Sequence, residues 1–230
     1  RGTIDKYIGD AMMAFWNAPL DDPQHAFHAC RAALAMQDGL APVNEALRRR
    51  AAENGEGEPI PLRAGIGLHT GHAFVGNMGS NQRFDYSALG DSVNLAQRLE
   101  GQTKTYGVNI LISEDSYQQA GEGEALAAVE LDLIRVVGKS QPVRIYALLD
   151  TAEAVAGDTA YQEWIQLHDD MLAAYREQAF EQALNLIEQC RDKAIYDLDG
   201  YYAMMATRIA DLQQTPPPAD WVGVYEAQGK

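Results

Sequence analysis

Phe84-Asp85-Tyr86-Ser87-Ala88-Leu89-Gly90-Asp91-Ser92-Val93-Asn94-Leu95-Ala96-Gln97-Arg98-Leu99-Glu100 is the stretch on which the reading of this chain turns. Gly90-Asp91 is a helix-start signal, because an aspartate side chain can accept from the free amides of a first helical turn. Behind it Val93, Leu95, Ala96 and Leu99 fall at helical spacing, which predicts a helix with one apolar face. Asn94 and Arg98 stand four apart, so they share a face about one turn in from Asp91. A polar outer stripe would look the same, and spacing alone leaves a stripe and a site as equal readings.

Working upstream, Gly79-Ser80-Asn81-Gln82-Arg83 reads as a polar loop. Leu62 to Leu68 and Ala73 to Met78 read as the arms of a hairpin turned by Thr70-Gly71. Gly65-x-Gly67 invites a dinucleotide-binding reading, but the third glycine position falls on Thr70 and the segment runs on into a strand, so that reading fails on context. Asp21-Asp22-Pro23 opens a long helix marked by Ala26, Ala29, Cys30, Ala33, Leu34 and Met36, which fades into Arg48-Arg49-Arg50 and a Gly/Glu/Pro loop at 54–59. Gly2 to Trp16 reads as a first hairpin with a tight turn near Gly9-Asp10 and an apolar arm, Ala11-Met12-Met13-Ala14-Phe15-Trp16. A lysine in such an arm (Lys6) and an aspartate at its tip (Asp10) are costly unless paired or used. The simplest pairing is with each other, a surface ion pair worth at most about 1 kcal/mol.

Downstream, Val108–Ile112 is a short buried strand, Ser113-Glu114-Asp115 starts a helix, and strands follow around Val129–Val137 and Val143–Leu149. Strands, helices and hairpins in this order indicate an α+β fold, with helices packed on a mainly antiparallel sheet. The character changes after Asp150. Residues 151–230 are nearly strand-free, with helical patterns over Tyr161–Tyr175, Phe180–Ala194 and Leu198–Leu212, and carry 14 acidic against 5 basic residues. The division is therefore drawn at 1–150 and 151–230. The helix pair around Tyr175, Phe180 and Ala183-Leu184 has a faint tetratricopeptide flavour, but one repeat is no array, and a helical cap on the domain is the better reading.

The composition narrows the function classes. With 33 acidic and 18 basic residues in 230, the net charge of −15 argues against a duplex-binding surface, since phosphate neutralisation needs clustered lysine and arginine. No run of eighteen apolar residues occurs. Cys30 and Cys190 lie far apart and make no disulfide framework, which suits a reducing compartment. His25 and His28, and His69 and His72, lack companions at zinc-site spacing, and His168 beside Asp169-Asp170 reads as a solvated helix face.

Asp5-Lys6-Tyr7-Ile8-Gly9-Asp10-Ala11-Met12-Met13-Ala14-Phe15 and the 84–100 stretch resemble the class III nucleotidyl cyclase catalytic domain. So do Gly65 to Gly79 and Val137-Gly138-Lys139-Ser140-Gln141-Pro142-Val143-Arg144-Ile145-Tyr146, in the family's order and across roughly residues 1–150. The resemblance implies a ferredoxin-like fold and the conversion of ATP to 3′,5′-cyclic AMP and pyrophosphate by attack of the 3′-hydroxyl on the α-phosphate. It implies a homodimer with sites at its interface, and two divalent cations, Mg²⁺ or Mn²⁺, held between two aspartates. Asp10 matches the second of these. The first belongs to a strand ahead of the hairpin, so the expectation is a domain lacking its first strand and, as given, inactive.

By the same resemblance Lys6 reads the base. An ammonium can donate to adenine N1, whereas guanine N1 is itself a donor. Ser87 takes the place of the usual aspartate partner and can accept from the exocyclic amine, which favours ATP; this Thr/Ser-type variant is one often linked to bicarbonate stimulation. Asn94 matches the residue that positions the ribose and Arg98 the one that stabilises the pentavalent phosphate, a task suited to a fixed guanidinium fork. Lys139 matches a lysine on the terminal phosphates, with a solvent-facing turn lysine as its plainer reading. Asp10 would serve one site while Lys6, Ser87, Asn94 and Arg98 serve its twin. The ending Pro217-Pro218-Ala219-Asp220-Trp221-Val222-Gly223-Val224 resembles the extension of bacterial membrane-attached cyclases, which implies a cytoplasmic piece of a protein anchored through upstream segments. Two alternatives stand beside this: a degenerate cyclase-like domain that binds nucleotide or a partner without turnover, and a tail that acts as an interaction module.

Overall fold

Ile110, Leu111 and Ile112 show how the layers are arranged. All three are buried, and alternate side chains of a strand point to opposite faces. Ile110 and Ile112 join a core with Ala26, Cys30 and Ala33, while Leu111 joins a second core with Leu95, Leu99 and Tyr106. The sheet that carries them is therefore covered on both sides. The computed structural model describes residues 1–80, 83–135 and 141–226. Its elements are β1 (Thr3–Ile8), β2 (Ala11–Phe15), α1 (His25–Glu53), β3 (Ile66–Leu68), β4 (Phe74–Ser80), β5 (Arg83–Leu89), α2 (Asp91–Tyr106), β6 (Ile110–Ser113), α3 (Glu114–Gln119), α4 (Glu122–Ala125), β7 (Leu126–Arg135) and β8 (Val143–Thr151). There follow α5 (Thr159–Arg176), α6 (Phe180–Lys193), α7 (Asp199–Gln214) and β9 (Val224–Glu226).

The main sheet runs β3-β6-β8-β7-β9, and β1-β2 and β4-β5 form two separate antiparallel ribbons. The α+β class holds. One expected hairpin does not: β3 pairs in parallel with β6, Ile66 opposite Ile110, and β4 pairs with β5 instead. Gly67 supplies a physical reason. A Cβ there would lie 2.2 Å from the Glu100 nitrogen and 2.3 Å from the Ala96 oxygen, so only a glycine lets α2 lie directly on β3 and hold it in the sheet. The expected 79–83 loop is instead the ends of the β4–β5 ribbon, with residues 81 and 82 outside the described set.

Ser113 caps α3 as expected, accepting from the Ser116 amide. The start of α2 differs. Asp91 is its first residue, and the capping position is Gly90, whose φ of +145° is open to glycine alone. Asp91 therefore sits in the first turn, where a carboxylate complements the helix dipole.

Helices α5, α6 and α7 share the core of α2 and the main sheet. One reading of this region needs correction: His168 is wholly buried rather than solvated. The near absence of strands past residue 151 holds among the described residues, with three-residue β9 added to the sheet edge parallel to β7, Leu133 opposite Val224.

Candidate functional site

The β1–β2 hairpin carries a one-residue bulge. Ile4 faces Ala14 and Lys6 faces Met13, so Asp5 is the extra residue on β1. Bulges break the strict up-down alternation and re-aim side chains. Here the Asp5 side chain is completely buried, while that of Lys6 is 42% exposed. One Asp5 oxygen, Oδ2, accepts from the Ser87 hydroxyl at 2.7 Å and from the Ala88 amide at 3.3 Å. The other, Oδ1, has no hydrogen-bond partner and lies 3.4 Å from the Lys6 ammonium. Ser87, near the end of β5, is itself buried.

Lys6 and Ser87, predicted as partners, are thus brought together by a residue between them. Asp5 is not among the candidates drawn from the sequence, where it stands beside Lys6 in an apolar arm. The expected pairing of Lys6 with Asp10 gives way to pairing with Asp5, and Asp10 is exposed at the tip of the hairpin. Gly90 turns β5 straight into α2, and Asn94 and Arg98 both stand exposed on that helix, one turn apart. Lys139 lies outside the described residues.

His28 and His69 are engaged in contacts within the fold. His28 Nδ1 lies 2.6 Å from Asp22 Oδ2, and His69 Nδ1 lies 2.8 Å from Ser113 Oγ. Among the described residues no three His, Cys, Asp or Glu side chains converge on a metal position. Asp10 can therefore offer one carboxylate to a cation but not a complete ligand set.

Chemically, an ammonium beside a hydroxyl can read the polar edge of a ring, and a guanidinium and an amide on the next helix can hold oxyanions. Around them the two ribbons present large apolar side chains to solvent: Phe74 is 80% exposed, Tyr7 72% and Phe84 62%. Large apolar side chains left in solvent on neighbouring ribbons are candidates for contact with another molecule.

The family model described as "Adenylate and Guanylate cyclase catalytic domain" matches residues 5–150. Adenylate cyclase 1 of Rhizobium meliloti is 39% identical over 154 residues, 67% of this chain and 22% of that protein. The adenylate cyclase of Anabaena cylindrica is 37% identical over 146 residues, 63% of this chain and 28% of that protein. The chain therefore spans less than a third of the length of these relatives. Among solved structures, the adenylyl cyclase CyaB from P. aeruginosa superposes with a TM-score of 0.52 at 32% identity, covering 65% of this chain and 72% of that one. The guanylyl cyclase Cya2 gives 0.53 at 30% identity, covering 66% and 72%.

Proposed function

From the premise that this chain belongs to the adenylate and guanylate cyclase catalytic-domain family, we propose that it converts ATP to 3′,5′-cyclic AMP and pyrophosphate at sites shared between two copies. One adenylyl and one guanylyl cyclase superpose on it almost equally well, so the backbone does not choose the base. The choice falls to side chains. The observation that carries the ATP reading is that one carboxylate, Asp5, lies 3.4 Å from the Lys6 ammonium and takes the proton of the buried Ser87. Lys6 donates to adenine N1 and Ser87 accepts from the exocyclic amine. Guanine would put a donor against the ammonium and an acceptor against the hydroxyl oxygen, two mismatches of the kind that discriminate strongly in a built site.

Asn94 then orients the ribose, and Arg98 meets the charge that grows on the α-phosphate as the 3′-oxygen closes on it. Asp10 fits as one oxygen donor to a divalent cation, Mg²⁺ or Mn²⁺, and such ions supply charge neutralisation at phosphate oxygens. Among the described residues no cluster of three His, Cys, Asp or Glu side chains completes its ligand set. The exposed apolar ribbons support a twofold pairing in which Asp10 of one copy serves the site formed by Lys6, Ser87, Asn94 and Arg98 of the other. Residues 1–150 would be the catalytic domain, in a cytoplasmic part of a membrane-anchored protein, and residues 151–230 an extension built onto it.

The test is complementation in the full-length natural protein. Arg98→Ala should lower kcat about 10²–10³-fold, as the loss of one transition-state donor does, and Asp10→Ala should abolish turnover. Mixed in equal amounts, the two inactive variants should recover about a quarter of the wild-type rate, because half the dimers are mixed and each holds one intact site. A mixture as dead as its components, with mixed dimers confirmed, refutes the shared site. An Arg98→Ala variant at the wild-type rate refutes the reaction as assigned.

A further inference from the structure

We infer that Asp5 is the positioning residue that sets base choice, by fixing which way the Ser87 hydroxyl points; this rests on the cyclase reading above. A hydroxyl on its own is ambiguous, since it can donate as well as accept. Turned outward as a donor, Ser87 would suit the carbonyl of guanine as readily as, turned the other way, it suits the amine of adenine. Asp5 removes the ambiguity. Its Oδ2 takes the Ser87 proton at 2.7 Å, in a site where Ser87 is 3% exposed and the Asp5 side chain is wholly buried. Only lone pairs are then left for the base.

Oδ2 is also held by the Ala88 amide at 3.3 Å, so the carboxylate is anchored to the strand that carries Ser87. Oδ1 has no hydrogen bond and sits 3.4 Å from the Lys6 ammonium, so one carboxylate spans both base-reading groups. The β1 bulge makes this possible. In regular alternation the side chains of neighbouring residues 5 and 6 would leave on opposite faces, and the extra residue at Asp5 breaks that rule where the two must cooperate. A neutral hydroxyl held in this way performs the accepting role that a charged partner would perform directly.

The experiment measures kcat/KM for ATP and for GTP in the full-length natural protein carrying Asp5→Asn, Ser87→Ala, both together, and Asp5→Asn with Ser87→Asp. Asparagine is nearly isosteric but can donate to Ser87, which frees the hydroxyl proton to point at the base. Asp5→Asn should lower the ATP-to-GTP ratio about tenfold or more, the size of one mis-set hydrogen bond. The change should come through KM for ATP and a gain with GTP rather than through kcat. Ser87→Ala should lower the ratio too, and Asp5→Asn added to it should change the ratio no further. Asp5→Asn with Ser87→Asp restores a fixed acceptor held by an amide donor and should return the ratio towards wild type. It also keeps the test alive if Asp5→Asn alone fails to fold. A purely structural Asp5 would lower both turnovers in proportion and leave the ratio alone, which overturns the inference while the cyclase reading stands. So does an Asp5→Asn effect of undiminished size in the Ser87→Ala background. Wild-type protein that makes neither cyclic nucleotide removes the cyclase reading, and this inference with it.

Discussion

The two ends of the polar inventory are treated differently by this fold. Where the extension meets the sheet, buried polar groups are joined into chains. The Trp164 indole donates to the Tyr202 hydroxyl at 3.0 Å, that hydroxyl donates to His168 Nδ1 at 3.0 Å, and His168 Nε2 donates to the Glu130 carbonyl at 2.6 Å. The acceptor-only carbonyl fixes the tautomer, and the tautomer fixes the direction of the whole relay. Beside it, Asp132 accepts from Tyr106 and Arg208, and the Arg208 guanidinium lies 3.7 Å from the centre of the Tyr225 ring. The hairpin ribbons look the opposite way, with bare aromatic rings in water; buried atoms without hydrogen bonds occur on both sides, the Asp5 oxygen and Trp16 indole nitrogen here and the Tyr175 hydroxyl, Arg135 Nε and Arg144 Nε there. The contrast separates contacts the chain completes within itself from a face shaped for something else. Tyr106 lies on α2, the helix of Asn94 and Arg98, so the completed region also braces the element that carries the proposed chemistry.

The largest stability effect should come from breaking the completed side. Arg208→Ala leaves Asp132, only 2% exposed, with the Tyr106 hydroxyl as its remaining side-chain partner. An uncompensated buried charge of this kind costs about 3–5 kcal/mol. Urea unfolding of the wild type and variant measures it. A cost under about 1 kcal/mol would put this pair in the class of surface ion pairs and erase the contrast.

A second probe uses pH. Burial, the larger influence, pushes the His168 imidazole down to about 4, against a smaller upward pull from its hydrogen bond to the Glu130 carbonyl. The unfolded chain takes up this proton near 6.5, so between the two values the unfolded state binds more protons than the folded one. The contribution is complete above pH 6.5 and is lost as pH falls towards 4, by about 3 kcal/mol in all. His168→Gln should be less stable at neutral pH and should flatten this part of the stability profile. An unchanged slope in the variant would mean that His168 does not set the acid limit.

His168 also shows what was legible in the sequence and why some of it was not. Two neighbouring aspartates suggested a wet face, yet Trp164, His168, Leu172 and Tyr175 fall on one stripe at helical spacing, and all four are buried. The period held the answer, and local charge hid it. The hairpin drawn through Leu62–Met78 failed differently. Alternation identifies a strand but not its partner, and β3 finds β6 more than forty residues away through a parallel pairing that no turn announces. Three-residue β9 has too short a pattern to be seen at all. Residue type made Lys6, Ser87, Asn94 and Arg98 candidates; the fold joins the first two through Asp5 and leaves the other two exposed on α2. Asp5 depended on a bulge, and nothing in the alternation of residues 3–8 marks where a strand will admit an extra residue.

The smallest expected effect on stability tests the other side of the comparison. Phe74 and Phe84 are 80% and 62% exposed, so replacing either with serine removes little buried surface. Each change should leave the unfolding free energy of the chain within about 0.5 kcal/mol of wild type. The register places the two rings on opposite faces of the ribbon, so if a second copy covers either ring, serine at that position should shift the full-length protein towards monomer in sedimentation and lower its turnover, with activity recovering as protein concentration rises. Three results would redraw the picture, each in its own direction. A loss of several kcal/mol would show that the rings are packed within their own chain. A dimer that persists at full activity would move the twofold contact elsewhere. A monomer at full activity would show that one copy holds a whole site, and Asp10 would then have to serve the same site as Lys6, although the two sit on one hairpin with the Asp5 carboxylate holding Lys6 towards Ser87 and Asp10 out at the tip.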